Sequence, residues 1–227
     1  MNLKIKTNKA QCKKYKDIIE SKNTNDFKRC SCGSIAVDGG LEYIKRIGKT
    51  KNIIEMSEYQ ENILLQDLKY VNKEINIEEY IEFRELVKQN MEYPEWLGDF
   101  SKDDLINMLN NNCIIWIYYL SNEPVCSMML IPSTEKAIKK FELDLNYKEV
   151  VDYGPMFVNP KYVGNGLQYQ MLKELDNYCF KLGYKYAVGT IHPDNIYSIN
   201  NLLKDNFKLI RTKEFTRGIR NIYLKNL

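Results

Sequence analysis

The sequence predicts a mixed α/β protein that carries a small β-rich module at its N-terminus. The first observation is the stretch 151–175, where a β-prone apolar run is followed by two glycines and then by apolar residues at helical spacing. The second is the order of strand-like and helix-like segments on both sides of that stretch. The third is a change near residue 60, before which short β-prone runs, glycines and cysteines predominate. We therefore expect two domains, residues 1–60 and 61–227.

Composition limits the classes of function. The chain has 227 residues, of which 44% are hydrophobic, and no apolar run approaches the length of a membrane-spanning helix. The first residues are not followed by the apolar stretch of a signal peptide. The 33 basic and 30 acidic residues give a net charge of +3, without the basic surplus of a nucleic-acid-binding protein. Three isolated cysteines in apolar context (Cys113, Cys126, Cys179) suit a reducing compartment. We expect a cytoplasmic protein with no membrane or nucleic-acid partner.

The N-terminal segment reads as a compact β unit. Turn residues at Asp38–Gly40 and around Gly48 separate its β-prone runs. These runs cover Ser34–Val37, Leu41–Ile47 and Asn52–Met56.

Three cysteines of this segment, Cys12, Cys30 and Cys32, are candidate metal ligands. The segment resembles a small module of bacterial and phage proteins in which Cys-x-x-Cys and Cys-x-Cys pairs would form a zinc ribbon. Here Tyr15 stands in place of the second cysteine of the first pair. Structural zinc sites are closed and four-coordinate, so we expect no stoichiometric zinc. The alternative is a three-cysteine zinc site completed by an outside ligand.

Downstream, the patterns predict two helices and a hairpin. One helix covers 76–90, with apolar residues such as Phe83 facing inward, and a second is capped by Ser101 and runs to Asn110. Strands over 113–120 and 125–131 are joined by a turn at 122–124. The charged stretch 133–147 is expected to be partly helical.

The central stretch begins with a strand over 151–158, which Pro155 should interrupt because proline has no N–H for the ladder. A loop containing Gly164 and Gly166 then leads into a helix that ends at Gly183. A glycine loop at a helix N-terminus is suited to bind phosphate. Neither a dinucleotide fingerprint nor a P-loop fits, because Tyr169 replaces the third glycine and Leu167-Gln168 follows the second.

A further strand is predicted over 184–191, then a helix from Asn195 to Asn206-Phe207, and then strands over 207–212 and 220–224. Two of these motifs resemble those of the GNAT (Gcn5-related N-acetyltransferase) superfamily. The loop 161–166 is similar to its Arg/Gln-x-x-Gly-x-Gly/Ala pyrophosphate loop, with Lys161 at the first position. The segment from Asn195 is similar to its Asn-x-x-Ala/Ser…Gly-Phe helix, with Asn206 in place of the glycine. The resemblance covers roughly 60–227, and it implies a central mixed sheet flanked by helices.

The resemblance implies an N-acetyltransferase that moves an acetyl group from acetyl-CoA to a primary amine of a small molecule or peptide. The pyrophosphate would lie on the N–H groups of 163–166, and the pantetheine arm along the open strand edge. For Asn195 and Ser198 the other interpretation is helix capping, with Asp194 the better candidate for the N-cap itself. The expected cofactor-binding residues are Phe157, Val158, Lys161, Tyr162, Val163, Gly164, Asn165, Gly166, Asn195 and Ser198.

Two residues are candidates for the catalytic base. Asp152 occupies the position of the base in histone-acetylating members, six residues before the position of Val158, and a solvated or capping carboxylate is the alternative. His192, the only histidine, has a suitable side chain for a base, although a structural role is the alternative. In many members the general acid is a Tyr at the position where this chain has Leu202, so the general acid is not assigned. The second functional hypothesis is a non-catalytic CoA-binding or partner-binding protein, and homodimer formation is a further expectation.

Overall fold

The computed structural model describes residues 3–227, so the first two residues of the predicted N-terminal module lie outside it. The chain divides into two compact units, Met1–Ile63 and Leu64–Leu227. Within the described residues, no helix combines the length and the apolar character needed to cross a membrane.

The first unit consists of short antiparallel strands in three small sheets, ordered β3-β2-β7, β4-β5-β6 and β1-β8. The predicted runs at 34–37 and 52–56 form strands. The prediction of a strand over 41–47 is wrong in its first half, because the strand there begins only at Lys45. Gly39 and Gly40 have positive φ, and the N–H groups of Glu42 and Tyr43 donate to the Gly39 carbonyl, so a turn occupies that place. The strands are β1 Leu3–Thr7, β2 Lys9–Cys12, β3 Ile18–Glu20, β4 Lys28–Arg29, β5 Ile35–Asp38, β6 Lys45–Gly48, β7 Ile53–Glu55 and β8 Glu58–Glu61.

The second unit is an eight-stranded mixed sheet with helices, as predicted. Its strand order is β15-β16-β14-β12-β11-β10-β9, with β13 beside β11, and the β12–β14 pair is parallel while the other pairs are antiparallel. The elements are β9 Lys69–Val71, α1 Ile77–Gln89, α2 Lys102–Asn110, β10 Ile114–Leu120, β11 Glu123–Pro132, α3 Glu135–Phe141, β12 Val150–Tyr153, β13 Phe157–Val158, α4 Leu167–Lys181, β14 Tyr186–Ile191, α5 Ile196–Lys204, β15 Lys208–Phe215 and β16 Gly218–Asn226.

Local capping explains where the helices begin and end. Ser101 and Asp104 form a reciprocal capping box at the start of α2. Gly183 follows α4 with φ 82°, and Asn206 follows α5 with φ 65°, so asparagine takes the left-handed conformation in place of glycine. One expectation is wrong: Asn195 caps α5 rather than Asp194, because its side chain accepts from the Ser198 N–H.

The core lies on both faces of the sheet. Ile115 of β10 packs in one cluster with residues of α1 and α2, and the ring of Phe83 lies 5.1 Å from that of Phe157. The next residue of β10, Trp116, contacts Tyr178 of α4 at 5.1 Å between ring centroids. Alternation along the strand therefore directs neighbouring side chains to helices on opposite faces.

The sheet opens at its centre. β12 is in parallel register with β14 from Val150 to Asp152, but β13 pairs with β11. The interruption covers 154–156, where the Gly154 N–H donates to the Met129 carbonyl. It includes Pro155, the residue expected to interrupt the strand. Beyond this point β13 and the end of β14 are not partners of each other, so the two strands diverge and leave a cleft between them.

Candidate active site

The turn after β13 is fixed to the hairpin beside it. The Asn159 amide donates to the Pro124 carbonyl at 2.9 Å, and its Oδ1 accepts from the Lys161 N–H at 3.1 Å. Buried Tyr162 donates its hydroxyl to the Glu123 carboxylate at 2.6 Å, and the Lys161 ammonium donates to the same group at 2.7 Å. Lys161 and Tyr162 therefore hold the loop in place through their side chains.

The glycine loop is held by the side chain of Asn165, which the sequence analysis placed at the cofactor, and by that of Gln170, which it did not single out. Buried Asn165 donates its amide to the Tyr162 carbonyl at 2.8 Å. The Asn165 carbonyl accepts from Gln170 at 3.1 Å, and Gln170 also accepts the Leu65 N–H at 2.9 Å. The polar i, i+5 pairing of Asn165 with Gln170 carries no sequence signal of its own. These bonds hold the loop at the N-terminus of α4.

Gly166 is the N-cap of α4, with φ 67° and no side chain to cap the helix. A methyl group added there would meet no protein atom within 4 Å, so the space in front of the helix is open. The first turn of this 15-residue helix holds no acidic residue, and Lys181 lies in its last turn. The positive end of the helix dipole thus faces an open position, which favours an anion.

The starts of α4 and α5 are joined by Gln168. Its amide donates to the Ser198 hydroxyl at 3.0 Å, and its Oε1 accepts from the Asn201 amide at 2.8 Å. Asn195 uses its Oδ1 to cap α5 at 3.1 Å. The structure therefore brings Ser198 beside the first turn of α4, and the side chains of Asn195 and Ser198 are both engaged in local bonds.

Asp152 lies on β12, opposite Ile131 of β11 and Val188 of β14. Asp152 is partly exposed to solvent. The protein atoms packed around it nevertheless raise the pKa of the carboxyl to about 7, because burial disfavours the charged form. Burial and, secondly, the charge of Asp152 raise the pKa of Cys113 to about 12, which places that thiol near the carboxyl. A carboxyl with this pKa can exchange a proton near neutral pH.

His192 follows β14 at the other end of the opening. It is four residues beyond Val188, the partner of Asp152 in the ladder, which amounts to about 13 Å along a strand. Its Nδ1 accepts from the Asp194 N–H at 3.3 Å, so in the neutral ring the proton resides on Nε2. The two predicted catalytic residues are therefore not brought together, and His192 presents a donor rather than a free base.

An aromatic wall, Tyr93, Trp96 and His192, borders the same end of the cleft. The rings of Tyr93 and Trp96 stack with centroids 4.4 Å apart, and those of Trp96 and His192 at 5.6 Å. Hydrogen bonding and charge from Glu92 come first among the causes that raise the pKa of Tyr93, followed by burial and the charge of Asp194. Carboxylates thus lie close to Tyr93. The two aromatic residues in an irregular segment were the only sequence signal for it.

The segment between α1 and α2, which carries Tyr93 and Trp96, crosses the point where the strands diverge. A methyl group added at Gly98 would lie 3.0 Å from Pro155 Cγ, and Arg220 donates to the Glu95 carbonyl at 2.9 Å. These contacts tie the segment to the strand interruption and to β16.

Leu202 stands at the position where many GNAT members have a Tyr that acts as the general acid. Leu202 is 5% exposed and packs on β14, since a methyl group at Gly189 would lie 3.5 Å from its Cδ1. Tyr197 on the same helix is 76% exposed and points to solvent.

Solved structures of acetyltransferases share this architecture. A Bacillus subtilis acetyltransferase in complex with CoA is 14% identical, with TM-score 0.53, and the match covers 70% of this chain and 99% of that chain. An N-acetyltransferase from Staphylococcus aureus Mu50 is 16% identical, with TM-score 0.52, and the match covers 70% of this chain and 98% of that chain. An aminoglycoside acetyltransferase in complex with coenzyme A and kanamycin is 12% identical, with TM-score 0.54, and the match covers 70% of this chain and 95% of that chain. The second unit has the GNAT fold.

The N-terminal unit is similar to a different family. Residues 4–48 match the family described as a domain of unknown function, DUF7695. The chain matches no curated protein. The GNAT fold therefore follows from structural similarity alone, and the roles of individual residues stay predictions.

Proposed function

We propose that the chain is an acyl-CoA-dependent N-acetyltransferase that moves an acetyl group from acetyl-CoA to a primary amine of a small molecule or peptide. The observation that carries this proposal is the open N-terminus of α4, set beside diverging strands in a GNAT fold. The similar structures include complexes with CoA and an aminoglycoside acetyltransferase bound to kanamycin, which supports the donor and the amine class of the acceptor.

The cofactor would bind in two parts. Its pyrophosphate would lie at the loop 163–166, where positive φ at Gly164 and Gly166 lets the backbone approach closely. Its pantetheine amides would extend along Phe157 and Val158, because β13 has its ladder partner on the β11 side. Asn195 and Ser198, at the start of α5, would border the cofactor arm.

In the reaction, the amine nitrogen attacks the thioester carbonyl, the C–N bond forms and the C–S bond breaks. The ammonium must first lose a proton, and Asp152 is the proposed base, directly or through one water. A pKa of about 7 leaves its carboxylate available at neutral and higher pH. Once the C–N bond has formed, the nitrogen carries one proton more than the amide needs, and solvent relays this proton to the leaving thiolate, which becomes the CoA thiol. Leu202 can supply no proton.

The aromatic wall supports a cationic acceptor. Aromatic faces attract ammonium groups, and the carboxylates of Glu92, Glu95 and Asp194 contribute to the raised pKa of Tyr93. Carboxylates near Tyr93 would attract a positively charged amine. We accordingly place the acceptor against Tyr93 and Trp96.

Calorimetric titration with CoA tests the cofactor site. Gly166→Glu places a carboxylate in front of α4, and we expect it to abolish measurable binding. Gly183→Glu is the matched control, because Gly183 also has positive φ and open space but lies at the other end of α4. Equal CoA affinity in the two folded variants would contradict the proposed site.

The second candidate function is a non-catalytic GNAT-like protein that binds CoA or a partner. Leu202 at the usual acid position is the observation that favours it. Release of free thiol from acetyl-CoA with a panel of amines distinguishes the two, since the second candidate binds CoA and releases none.

A further inference from the structure

Two turns of the N-terminal unit direct three thiols to one point. Cys12, Cys30 and Cys32 have their sulfur atoms within 4.8 Å of one another. The Cys12–Cys32 separation is 3.6 Å and the Cys30–Cys32 separation is 3.5 Å. Disulfide sulfurs would lie about 2 Å apart. Thiolates around a tetrahedral zinc ion, at about 2.3 Å from the metal, are separated by about 3.8 Å, close to the spacing here.

The first turn follows β2. Cys12 donates its N–H to the Asp17 carbonyl at 2.8 Å, and Lys16, with φ 63°, donates to the Cys12 carbonyl at 2.8 Å. These bonds fold residues 12–17 back on themselves, so that the Cys12 side chain is directed inward, where it is fully buried.

The second turn lies between β4 and β5. Gly33, with φ 68°, donates to the Cys30 carbonyl at 2.9 Å, and the Ile35 N–H points to the Cys30 sulfur at 3.4 Å. An N–H directed at sulfur stabilises negative charge on it. The Asp17 carboxylate accepts the Ser31 N–H at 2.7 Å, which joins this turn to the first. Both turns are thus held in the arrangement that brings the thiols together.

The cluster is open on one side. Cys30 is 4% exposed, but Cys32 is only partly buried. Tyr15, three residues after Cys12, is 66% exposed and directed to solvent. Three thiolates are soft ligands suited to zinc, and a site with three protein ligands keeps its fourth position for an external one.

We propose that Cys12, Cys30 and Cys32 bind one zinc ion, with a solvent molecule as the fourth ligand. This proposal replaces the expectation of no zinc, which rested on Tyr15 alone. The apolar core of the unit is small: among the described residues, its buried cluster consists of Ala10, Cys12, Cys30, Ile35 and Val37. Domains of this size with so small a core commonly depend on a metal or disulfides.

Metal analysis of the full chain, purified under reducing conditions without chelator, tests the site. We expect one zinc per chain, lost in Cys30→Ser and retained in Cys126→Ser, whose buried thiol lies on β11 in the other unit. Cobalt exchanged into the wild-type protein should show thiolate-to-cobalt charge-transfer absorption, a readout that does not depend on a variant folding. Absence of both zinc and the cobalt band, or zinc that persists in Cys30→Ser, overturns the proposal.

Tyr15→Cys tests the fourth position. A fourth thiolate in the first turn would displace the solvent ligand and close the four-coordinate site, so the chelator concentration needed for half-removal of zinc should rise. Tyr15→Phe is the control and should leave it unchanged. If Tyr15→Cys is no more resistant than wild type, the fourth ligand is not from solvent at this place.

Discussion

The two units of the chain are stabilised by different means. In the second, aromatic and aliphatic side chains fill both faces of an eight-stranded sheet, with Tyr80, Phe83 and Phe157 at the centre of one face. In the first, a five-residue cluster, two members of which are thiols, comes from two of the three small sheets and from the turn after β4. A large core stabilises a sheet by itself, whereas a small unit needs specific polar bonds and, as we propose, bonds to a metal.

Polar bonds carry much of the first unit. Fully buried Asn8 donates to the Gly40 carbonyl at 2.8 Å and accepts from Arg46 at 2.7 Å. Arg46 also pairs with Glu55 at 2.7 Å. Burial opposes ionisation of Glu55, but hydrogen bonds from Arg46 and Ser57 prevail and lower its pKa to about 2. These directional bonds link Asn8, which precedes β2, to strands β6 and β7.

The largest expected effect follows from this difference. A strong zinc chelator should unfold the first unit and leave the second folded, because apparent zinc-binding free energies of about 10 kcal/mol or more can exceed the stability of so small a unit. Hydrogen exchange should show lost amide protection in 3–63 and unchanged protection in 64–227. Protection that falls in both units, or in neither, would contradict the comparison.

A second effect concerns the second unit alone. Asp152→Asn removes the proposed base, and we expect kcat to fall about 10²–10⁴-fold while the acetyl-CoA dissociation constant stays within a few-fold. Wild-type kcat/KM should rise as pH increases through about 7, and the variant should lack this rise. Asp144→Asn, at an exposed position, is the control. Near-full kcat in Asp152→Asn together with loss in His192→Ala would assign the base to His192.

The same carboxyl links stability to pH. Its pKa in the folded state is raised to about 7 from an ordinary value of 3.8. The stabilising contribution is therefore complete below pH of about 4 and is lost as pH rises through about 7. Asp152→Asn should remove this decline in the free energy of unfolding of the second unit.

The smallest effect identifies the unfolding transitions. Ser101→Ala removes the capping box of α2 and should destabilise the second unit by about 1 kcal/mol. Ser101→Thr retains a capping hydroxyl and serves as the control. Calorimetry should show the loss only in the transition that chelator leaves in place. A shift of the chelator-sensitive transition instead would mean that the two units do not unfold separately.

Local chemistry made several features predictable. Pro155 interrupts the central strand, and Gly183 and Asn206 end their helices with positive φ, because each residue restricts or permits its own backbone conformation. The choice between Asp194 and Asn195 as cap was wrong, since both have suitable side chains and only the backbone path separates them. The first half of 41–47 failed because turn formation at Gly39 overrode a β-prone pattern.

The sequence by itself determined the order of the elements, the glycine loop before α4 and the α/β class, because turn, capping and periodicity signals act within a few residues. Only the tertiary structure decided the raised pKa of Asp152, its separation from His192, the stack of His192 on Trp96 and the meeting of three thiols. Each of these depends on atoms far apart in the chain that packing brings together, and no local pattern specifies how closely they approach.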